Sequence, residues 1–233
     1  NNRYTSNTNK FYFDVSVSKF SSIPECDYII NCIGCIKQKN YSDVEFKQTN
    51  EFFPLLLAEW CAERNVRLIH VTSDCVFSGK RGNYNENDTH DPTDVYGLTK
   101  SQGEPKSCMS LRTSIIGEEL YGKFSLLEWF KSQHNSTVKG YTNHFWNGIT
   151  TQEYARICES IIKNDWYKQG VYHVFSDTKT KYEMLMAFKE KFSSDVTVIP
   201  VETEESVNRA LSTVYDLNQR LNVKSFNQML GEL

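Results

Sequence analysis

Apolar runs of strand length alternate with segments of helical periodicity along most of the chain. Tyr28–Ile33 and Arg67–Thr72 are short and rich in β-branched residues, as is typical of strands covered on both faces. The stretch 44–64 carries apolar residues at helical spacing, and Thr150 with Glu153 forms the capping box of another helix. This alternation predicts an α/β fold with a mainly parallel sheet.

Shorter signals complete the predicted order of elements. Pro54 is expected to kink the helix over 44–64 or to mark a late start of it. Residues 78–93, with Gly79, Gly82 and Pro92, predict a long loop, and such loops in compact domains are commonly functional. Further strands are expected at 11–15, 110–115, 171–175 and 196–201, and further helices from 94, over 124–133, 151–163 and 182–192, and around 219.

Tyr96 and Lys100 are candidates for proton transfer. They are separated by one helical turn in the helix that follows the long loop, so their side chains share a face. A free tyrosine titrates near pH 10, and a neighbouring cation lowers that pKa. A chain with 13 tyrosines also produces this spacing by chance. The neighbourhood of the pair therefore matters more than the pair itself.

That neighbourhood is the carboxyl end of the predicted sheet, where ligands bind in open α/β folds. Ser73 directly follows the strand over 67–72, and Asn31–Gly34 and Thr113–Ser114 end two other predicted strands. We expect these residues to converge on one crevice that Tyr96 and Lys100 reach from their helix.

Composition and charge exclude several classes of function. The chain has 233 residues, 39% of them apolar, and a formal net charge of −3, without the concentrated basic face that nucleic acids require. No apolar stretch approaches the roughly 20 residues of a membrane helix, and the first 25 residues lack a signal-peptide core. We therefore expect a cytoplasmic protein that binds neither nucleic acid nor membrane.

The seven cysteines are an odd number scattered among apolar segments, which favours reduced thiols over a disulfide framework. Cys32 and Cys35 form a Cys-x-x-Cys pair that suits zinc or redox chemistry. No second pair of this kind exists in the sequence, so neither a metal site nor a redox site is expected.

Taken together, these segments resemble the extended short-chain dehydrogenase/reductase family, and within it the dTDP-4-dehydrorhamnose reductase group. The resemblance covers roughly residues 11 to 200. It implies a Rossmann-type, doubly wound parallel sheet with a smaller C-terminal substrate lobe, divided into residues 1–117 and 118–233. The matching stretches are His70–Gly79, Tyr84–Glu86, Asp91–Pro92, Val95–Glu104 and Leu111–Ser114.

The resemblance also implies roles for individual residues. Ser73 hydrogen-bonds the substrate carbonyl, Tyr96 donates the proton, and Lys100 lowers the pKa of Tyr96 and holds the nicotinamide ribose of NADPH or NADH. Besides Tyr96 and Lys100, the implied cofactor-binding residues are Asp14, Asn31, Cys32, Ile33, Gly34, Asn50, Thr72 and Thr113. The implied substrate-binding residues are Asp74, Cys75, Val76, Trp146 and Asn147.

Several of these assignments have structural alternatives. Asn31 could cap a strand, Asn50 could be a solvated helix residue, and Asp14 could form a turn. The aromatic residues around Trp146 could stack on a nucleotide base or serve packing alone. These alternatives stay open at the level of the sequence.

The implied reaction is NAD(P)H-dependent reduction of the C4 keto group of a 4-keto-6-deoxy sugar carried on a nucleotide diphosphate. Related dehydratases place an Asp-Glu pair after the catalytic Thr, whereas Asp74-Cys75 follows Ser73 here, which disfavours dehydration. Two alternatives remain. One is a bifunctional UDP-sugar epimerase/4-reductase, and the other is a non-catalytic subunit that binds nucleotide-sugar or NADP, as the regulatory subunit of methionine adenosyltransferase resembles these reductases.

The sequence departs from the family at its start, because the first glycine is Gly34 and no glycine-rich phosphate-binding turn precedes it. We expect the first β-α unit of the fold to be absent from this sequence. Three explanations stay open: a piece of a longer protein, a shortened enzyme that binds cofactor weakly or borrows the unit from a partner, or a non-catalytic relative. A homo-oligomer and either nicotinamide cofactor remain open as well.

Overall fold

The structure is a computed structural model that describes residues 12–119 and 122–233. Its strands are β1 (Tyr28–Asn31), β2 (Arg67–Ser73), β3 (Met109–Thr113), β4 (Ile115–Ile116), β5 (Thr137–Tyr141), β6 (His144–Trp146), β7 (Ile149–Thr150), β8 (Gly170–His173), β9 (Lys179–Thr180), β10 (Thr197–Val201) and β11 (Val207–Asn208). Its α-helices are α1 (Asp43–Phe46), α2 (Phe53–Glu63), α3 (Val95–Gln102), α4 (Leu126–Lys131), α5 (Thr151–Lys163), α6 (Lys181–Lys191), α7 (Leu217–Arg220) and α8 (Phe226–Gly231).

The main sheet has four parallel strands in the order β1-β2-β3-β8. Asn31 pairs in register with His70, and Ser73 pairs with Thr113. The carboxyl ends of β1, β2 and β3 therefore meet at one edge of the sheet, which confirms the predicted parallel α/β fold.

Helices cover both faces of this sheet because successive strand residues point to opposite sides. Ile69 of β2 packs with Ile157 of α5 in one apolar cluster. The preceding residue, Leu68, packs with Leu57 of α2 in another. This is the doubly wound, Rossmann-type arrangement. None of the helices in the described residues is long and apolar enough to cross a membrane.

Residues after 114 form smaller sheets and also return to the main sheet. Strand β5 pairs with β10, β6 pairs with β9 and β11, and β4 pairs with β7. Phe130, Phe188 and Phe226 of α4, α6 and α8 share a separate apolar cluster. Helix α5 and strand β8 belong to the main sheet and its cover.

Some predicted elements differ from the structure. Residues 12–15 are not a strand, because the Asp14 side chain accepts a hydrogen bond from the Ser16 amide at 2.8 Å and stabilises a turn; residue 11 lies outside the described residues. The strand predicted over 110–115 is broken between β3 and β4. Strands β5, β6, β7, β9 and β11 and helix α8 were not predicted from the sequence.

The helix predicted over 44–64 is interrupted by a π-helical segment, Lys47–Phe52. Pro54 has no N–H, so the Asn50 carbonyl lacks its normal helical donor, and the Phe53 amide instead donates to the Gln48 carbonyl. Helix α2 begins at Phe53 with Pro54 in its first turn, which confirms the predicted late start, and Asn50 is buried in the π-helical segment before it.

Candidate functional site

Ser73 ends β2 and caps the turn that follows it. Its Oγ accepts a hydrogen bond from the Cys75 amide at 3.1 Å, which closes the 3-10 turn Asp74–Val76. The hydroxyl is thereby fixed at the carboxyl edge of the main sheet, as the sequence predicts for a site residue.

Helix α3 packs directly on this turn. Asp94 caps the helix by accepting from the Gly97 amide at 2.7 Å. A Cβ on Gly97 would lie only 2.3 Å from the Cys75 carbonyl oxygen, so the helix backbone touches the turn where a side chain would not fit. This close approach brings Tyr96 near Ser73, close enough for the Ser73 side chain to act on the ionisation of the phenol.

Tyr96 is protonated at neutral pH in this structure. Burial raises the pKa of its phenol, Cys75 and Asp74 raise it further, and the interaction with Ser73 only partly opposes the rise. The expectation that Lys100 lowers this pKa stays a prediction, because burial, Cys75 and Asp74 outweigh other influences on the phenol in this conformation. The phenol therefore releases its proton only when a neighbouring group stabilises the phenolate.

Lys100 shares a helix with Tyr96 but binds elsewhere. Its buried Nζ donates to the Val71 carbonyl at 2.8 Å, on the strand beneath the helix. Burial lowers the pKa of this ammonium to about 8, while Glu104 and Cys32 act to raise it. Lys100 therefore titrates close to neutral pH.

Asn31 and Asn50 shape the segment that follows β1. The Asn50 side chain brackets the Cys35 backbone, accepting from its amide at 2.9 Å and donating to its carbonyl at 3.0 Å. Asn31 accepts from the Ile33 amide at 3.0 Å and donates to His70 Nδ1 at 3.0 Å. Both side chains are buried, and the two hydrogen bonds that each makes within the chain hold this segment in place.

This result decides two open alternatives. Asn31 does cap the end of its strand, whereas the reading of Asn50 as a solvated helix residue is wrong, because it is buried. The predicted cofactor residues Cys32, Ile33 and Gly34 are exposed at the carboxyl end of β1.

Three other predicted cofactor residues have their polar atoms engaged within the chain. The buried Thr72 hydroxyl donates to Glu104 at 2.8 Å. The buried Thr113 hydroxyl donates to the Ser114 carbonyl at 3.2 Å. The Asp14 carboxylate accepts hydrogen bonds from the amide and the hydroxyl of Ser16 and so stabilises a turn. This is the structural alternative named above.

A cleft of about 550 Å³ opens next to Asp74 and Cys75. Four cationic side chains line it: Lys37, Lys123, Lys181 and Arg209. Aromatic side chains form much of the remaining wall, among them Phe124, Trp129 and Trp146. The cleft is suited to an anionic ligand that also carries a planar, stackable group.

Ionisation inside the cleft follows from burial and from these cations. Burial raises the pKa of Asp74, and Arg209 and Lys181 oppose the rise. Burial lowers the pKa of Lys181 to about 8. Burial raises the pKa of the Cys75 thiol to about 11, so this cysteine is not a nucleophile at neutral pH.

The predicted substrate residues divide into two groups. Asp74, Cys75 and Trp146 line the cleft. Val76 does not, because it is fully buried with Phe77 in an apolar cluster. Asn147 brackets the Leu211 backbone through bonds of 2.8 and 2.9 Å and is buried, so it fixes the chain rather than contacts a ligand.

Sequence reasoning missed the four cations of the cleft. They come from separate segments before α1, before α4, at the start of α6 and after β11, and no motif links them. A chain with an overall negative charge gave no sign of a local positive cluster.

Comparison with known proteins identifies the relatives of this chain. The family model described as the RmlD substrate binding domain matches residues 16–227. The dTDP-4-dehydrorhamnose reductase of Aggregatibacter actinomycetemcomitans is 34% identical over 131 residues, covering 50% of this chain and 44% of the relative. Methionine adenosyltransferase 2 subunit beta of Danio rerio is 27% identical over 140 residues, covering 54% of this chain and 43% of the relative.

Both matches span less than half the length of these curated relatives. Among solved structures, the dTDP-4-dehydrorhamnose reductase of Bacillus anthracis in complex with NADP superposes with a TM-score of 0.71. The two chains are 20% identical, and the match covers 88% of this chain and 79% of that one. This likeness shows the Rossmann-type fold.

Proposed function

Since this chain belongs to the RmlD substrate binding domain family, we propose that it takes part in reducing the C4 keto group of a nucleotide-linked 4-keto-6-deoxy sugar. The contact between α3 and the turn after Ser73 carries the proposal. It unites a hydroxyl donor, Ser73, with a protonated phenol, Tyr96, beside a cationic cleft.

The residues present fit a nicotinamide cofactor at the carboxyl edge of the sheet. The Lys100 ammonium has three N–H groups and, among the described residues, one hydrogen-bond acceptor, the Val71 carbonyl. Two donors therefore remain for ribose hydroxyls. Cys32–Gly34, exposed at the end of β1, would line the adenine side. The Bacillus anthracis relative is bound to NADP, and we propose NADPH or NADH for this chain.

When it is bound, the reduced nicotinamide supplies hydride. The residues of this chain supply the remaining chemistry. The Ser73 hydroxyl donates a hydrogen bond to the substrate carbonyl oxygen, and Tyr96 gives that oxygen its proton. The raised pKa of Tyr96 keeps this proton in place until the Lys100 ammonium stabilises the phenolate. General-acid catalysis of this kind contributes about 10²- to 10⁴-fold.

The cleft supports a nucleotide diphosphate sugar as the substrate. Two phosphates suit Lys123 and Arg209, a base can stack on Phe124 or Trp129, and the sugar can reach Asp74 beside Ser73. Most of these side chains follow residue 117. We therefore retain the division into a nucleotide-binding part, 1–117, and a mainly substrate-binding part, 118–233, as part of the proposal.

Reduced-nicotinamide absorbance tests the proposal. The full-length protein is mixed with NADPH or NADH and a panel of nucleotide 4-keto-6-deoxy sugars. We expect turnover with at least one sugar and a loss of about 10²-fold or more in Tyr96→Phe. The control variant Tyr215→Phe changes an exposed tyrosine and should oxidise the cofactor at the wild-type rate. Equal oxidation by wild type and Tyr96→Phe would refute the assignment.

The similarity to methionine adenosyltransferase 2 subunit beta favours one alternative, a non-catalytic binding subunit. That role predicts tight NADP or nucleotide-sugar binding without turnover for every sugar in the panel. A bifunctional epimerase/4-reductase would instead incorporate solvent deuterium at the carbon next to the ketone. The same assays therefore separate all three functions.

We also propose a cytoplasmic location. All seven cysteines are free thiols in the structure, including the exposed Cys26 and Cys32, and a reducing compartment preserves such thiols. We also propose a homo-oligomer. Sedimentation of the full-length protein would test its oligomeric state.

A further inference from the structure

Arg112 of β3 and Glu104, which follows helix α3, form a buried ion pair. The Arg112 side chain is fully buried, and its Nε and Nη2 bind the two carboxylate oxygens of Glu104 at 3.0 and 2.5 Å. The Thr72 hydroxyl donates to the same carboxylate at 2.8 Å. Glu104 is therefore held in one position by groups from β2 and β3.

Two histidines fix the other side of Arg112. Its Nη1 lies 2.7 Å from His173 Nε2, and its Nη2 lies 2.8 Å from His90 Nε2. Because a guanidinium only donates, both ring nitrogens accept, and both histidines are neutral. Burial lowers the pKa of each ring, in agreement with this arrangement. The histidines add no charge to the ion pair.

The side chains of Lys100 and Glu104 both bind strand β2. Its ammonium binds the Val71 carbonyl, and the Glu104 carboxylate binds the adjacent residue, Thr72. The groups that act on the Lys100 ammonium are Glu104 and Cys32, which favour its charged form, and the buried neutral His70. Glu104 exerts the larger of the two favourable effects.

We propose that Glu104, fixed by Arg112, is a positioning residue that keeps Lys100 protonated so that Tyr96 can release its proton. The inference rests on the proposed reduction. Removal of the carboxylate charge leaves Lys100 buried beside a neutral histidine, where the ammonium is less stable. The structural alternative is that the ion pair only joins β3 to the end of α3.

The pH dependence of kcat with the reactive sugar distinguishes the two roles. Glu104→Gln keeps the side-chain size and removes the charge. We expect its alkaline loss of activity to begin about 1 pH unit lower than in the wild type, with the KM for the sugar nearly unchanged. Ser101→Ala removes a bond of 2.7 Å to His90 in the same network without changing a charge, and its profile should match the wild type.

A titration of the lysine 13Cε resonances measures the same effect without turnover. We expect the Lys100 resonance, assigned by its loss in Lys100→Met, to titrate at a pKa of about 8 in the wild type and at a lower pKa in Glu104→Gln. If Glu104→Gln fails to fold, Glu104→Gln/Arg112→Gln removes both buried charges and should still lower the pKa of Lys100, by less than Glu104→Gln would, because the repulsion from the guanidinium is lost as well.

Unchanged titration of Lys100 and an unchanged alkaline limb in these variants would overturn the inference and leave the ion pair a structural role. Absence of turnover in the wild type would instead contradict the proposed reduction. The NMR titration then still decides whether Glu104 controls the charge of Lys100. The two failures are therefore distinguishable.

Discussion

Gly97 rests on the Cys75 carbonyl oxygen so closely that a Cβ at this position would lie 2.3 Å from it. The same Cβ would lie 2.9 Å from the Pro92 side chain. Backbone on one side and a rigid ring on the other leave no room to adjust. The contact therefore sets the position of Tyr96 relative to Ser73.

Gly97→Ala should displace α3 and separate the phenol from the Ser73 hydroxyl. We expect kcat for sugar reduction to fall by about 10²-fold with a smaller change in KM, because ångström-scale misplacement of a reacting group costs this much. Gly231→Ala is the matched control, since a Cβ there meets nothing within 4 Å. Similar kcat values for the two variants would contradict the role given to this contact.

Asn50→Ala should loosen the exposed end of β1. It removes both bonds to the Cys35 backbone and leaves buried polar groups without partners, which costs about 1–3 kcal/mol. Urea unfolding should show this loss, and the affinity for NADPH should fall as well. Asn164→Ala, which removes one exposed bond to the Ser160 carbonyl, should change neither measurement appreciably.

The free energy of unfolding should fall as the pH is lowered through the range in which His173 is protonated in the unfolded chain but still neutral in the folded one. Burial and the neighbouring Arg112 lower the pKa of His173 to about 4, whereas it titrates near 6.5 when unfolded. A lowered folded pKa gives stability that is complete above the unfolded pKa and is lost as the pH falls from about 6.5 toward 4. The loss is on the order of 3 kcal/mol.

Urea unfolding between pH 7 and 4 measures this loss. His173→Asn retains a donor and an acceptor but does not titrate, so the free energy of unfolding should depend less on pH in this variant. An identical pH dependence in wild type and His173→Asn would show that other groups control acid stability.

The cationic cleft should bind a nucleoside diphosphate in the absence of any sugar. Lys181→Met should weaken this binding by about tenfold, or 1.4 kcal/mol, because it removes a half-buried cation from the wall. In the wild type the affinity should fall as the pH rises past 8, since the pKa of Lys181 is about 8 and only its charged form attracts phosphate. Calorimetric titration with UDP and TDP measures both effects.

Lys163→Met provides the control for charge removal at an exposed helical position paired with Glu159. Its affinity for the nucleoside diphosphate should equal that of the wild type. Equal affinities for Lys181→Met and Lys163→Met would exclude the cleft as the diphosphate site.

The parallel sheet and the positions of Ser73, Tyr96 and Lys100 were predictable because they depend on local patterns. Strand ends, a helical repeat and a loop between them place these residues without knowledge of distant contacts. Cleft residues such as Lys181 and Arg209 were not predictable, since each arrives from a separate segment and no periodicity relates them.

The hydrogen-bond partners of individual side chains could not be predicted from the sequence either. Asn50 was expected to support the site, but its bracket on Cys35 depends on the π-helical segment before Pro54. The bond from Lys100 to Val71 depends on how α3 lies on β2. Such contacts follow from tertiary packing, which a single sequence does not encode as a pattern.

Transfer of deuterium from reduced cofactor deuterated at nicotinamide C4 tests the central claim most directly. The full-length protein is incubated with a nucleotide 4-keto-6-deoxy sugar and each deuterated face of the cofactor, and the product is analysed by mass spectrometry and NMR. We predict one deuterium at C4 of the sugar, from one cofactor face only, and none in Tyr96→Phe on the same time scale. A sugar that binds but gains no deuterium at C4 would contradict the proposed reduction.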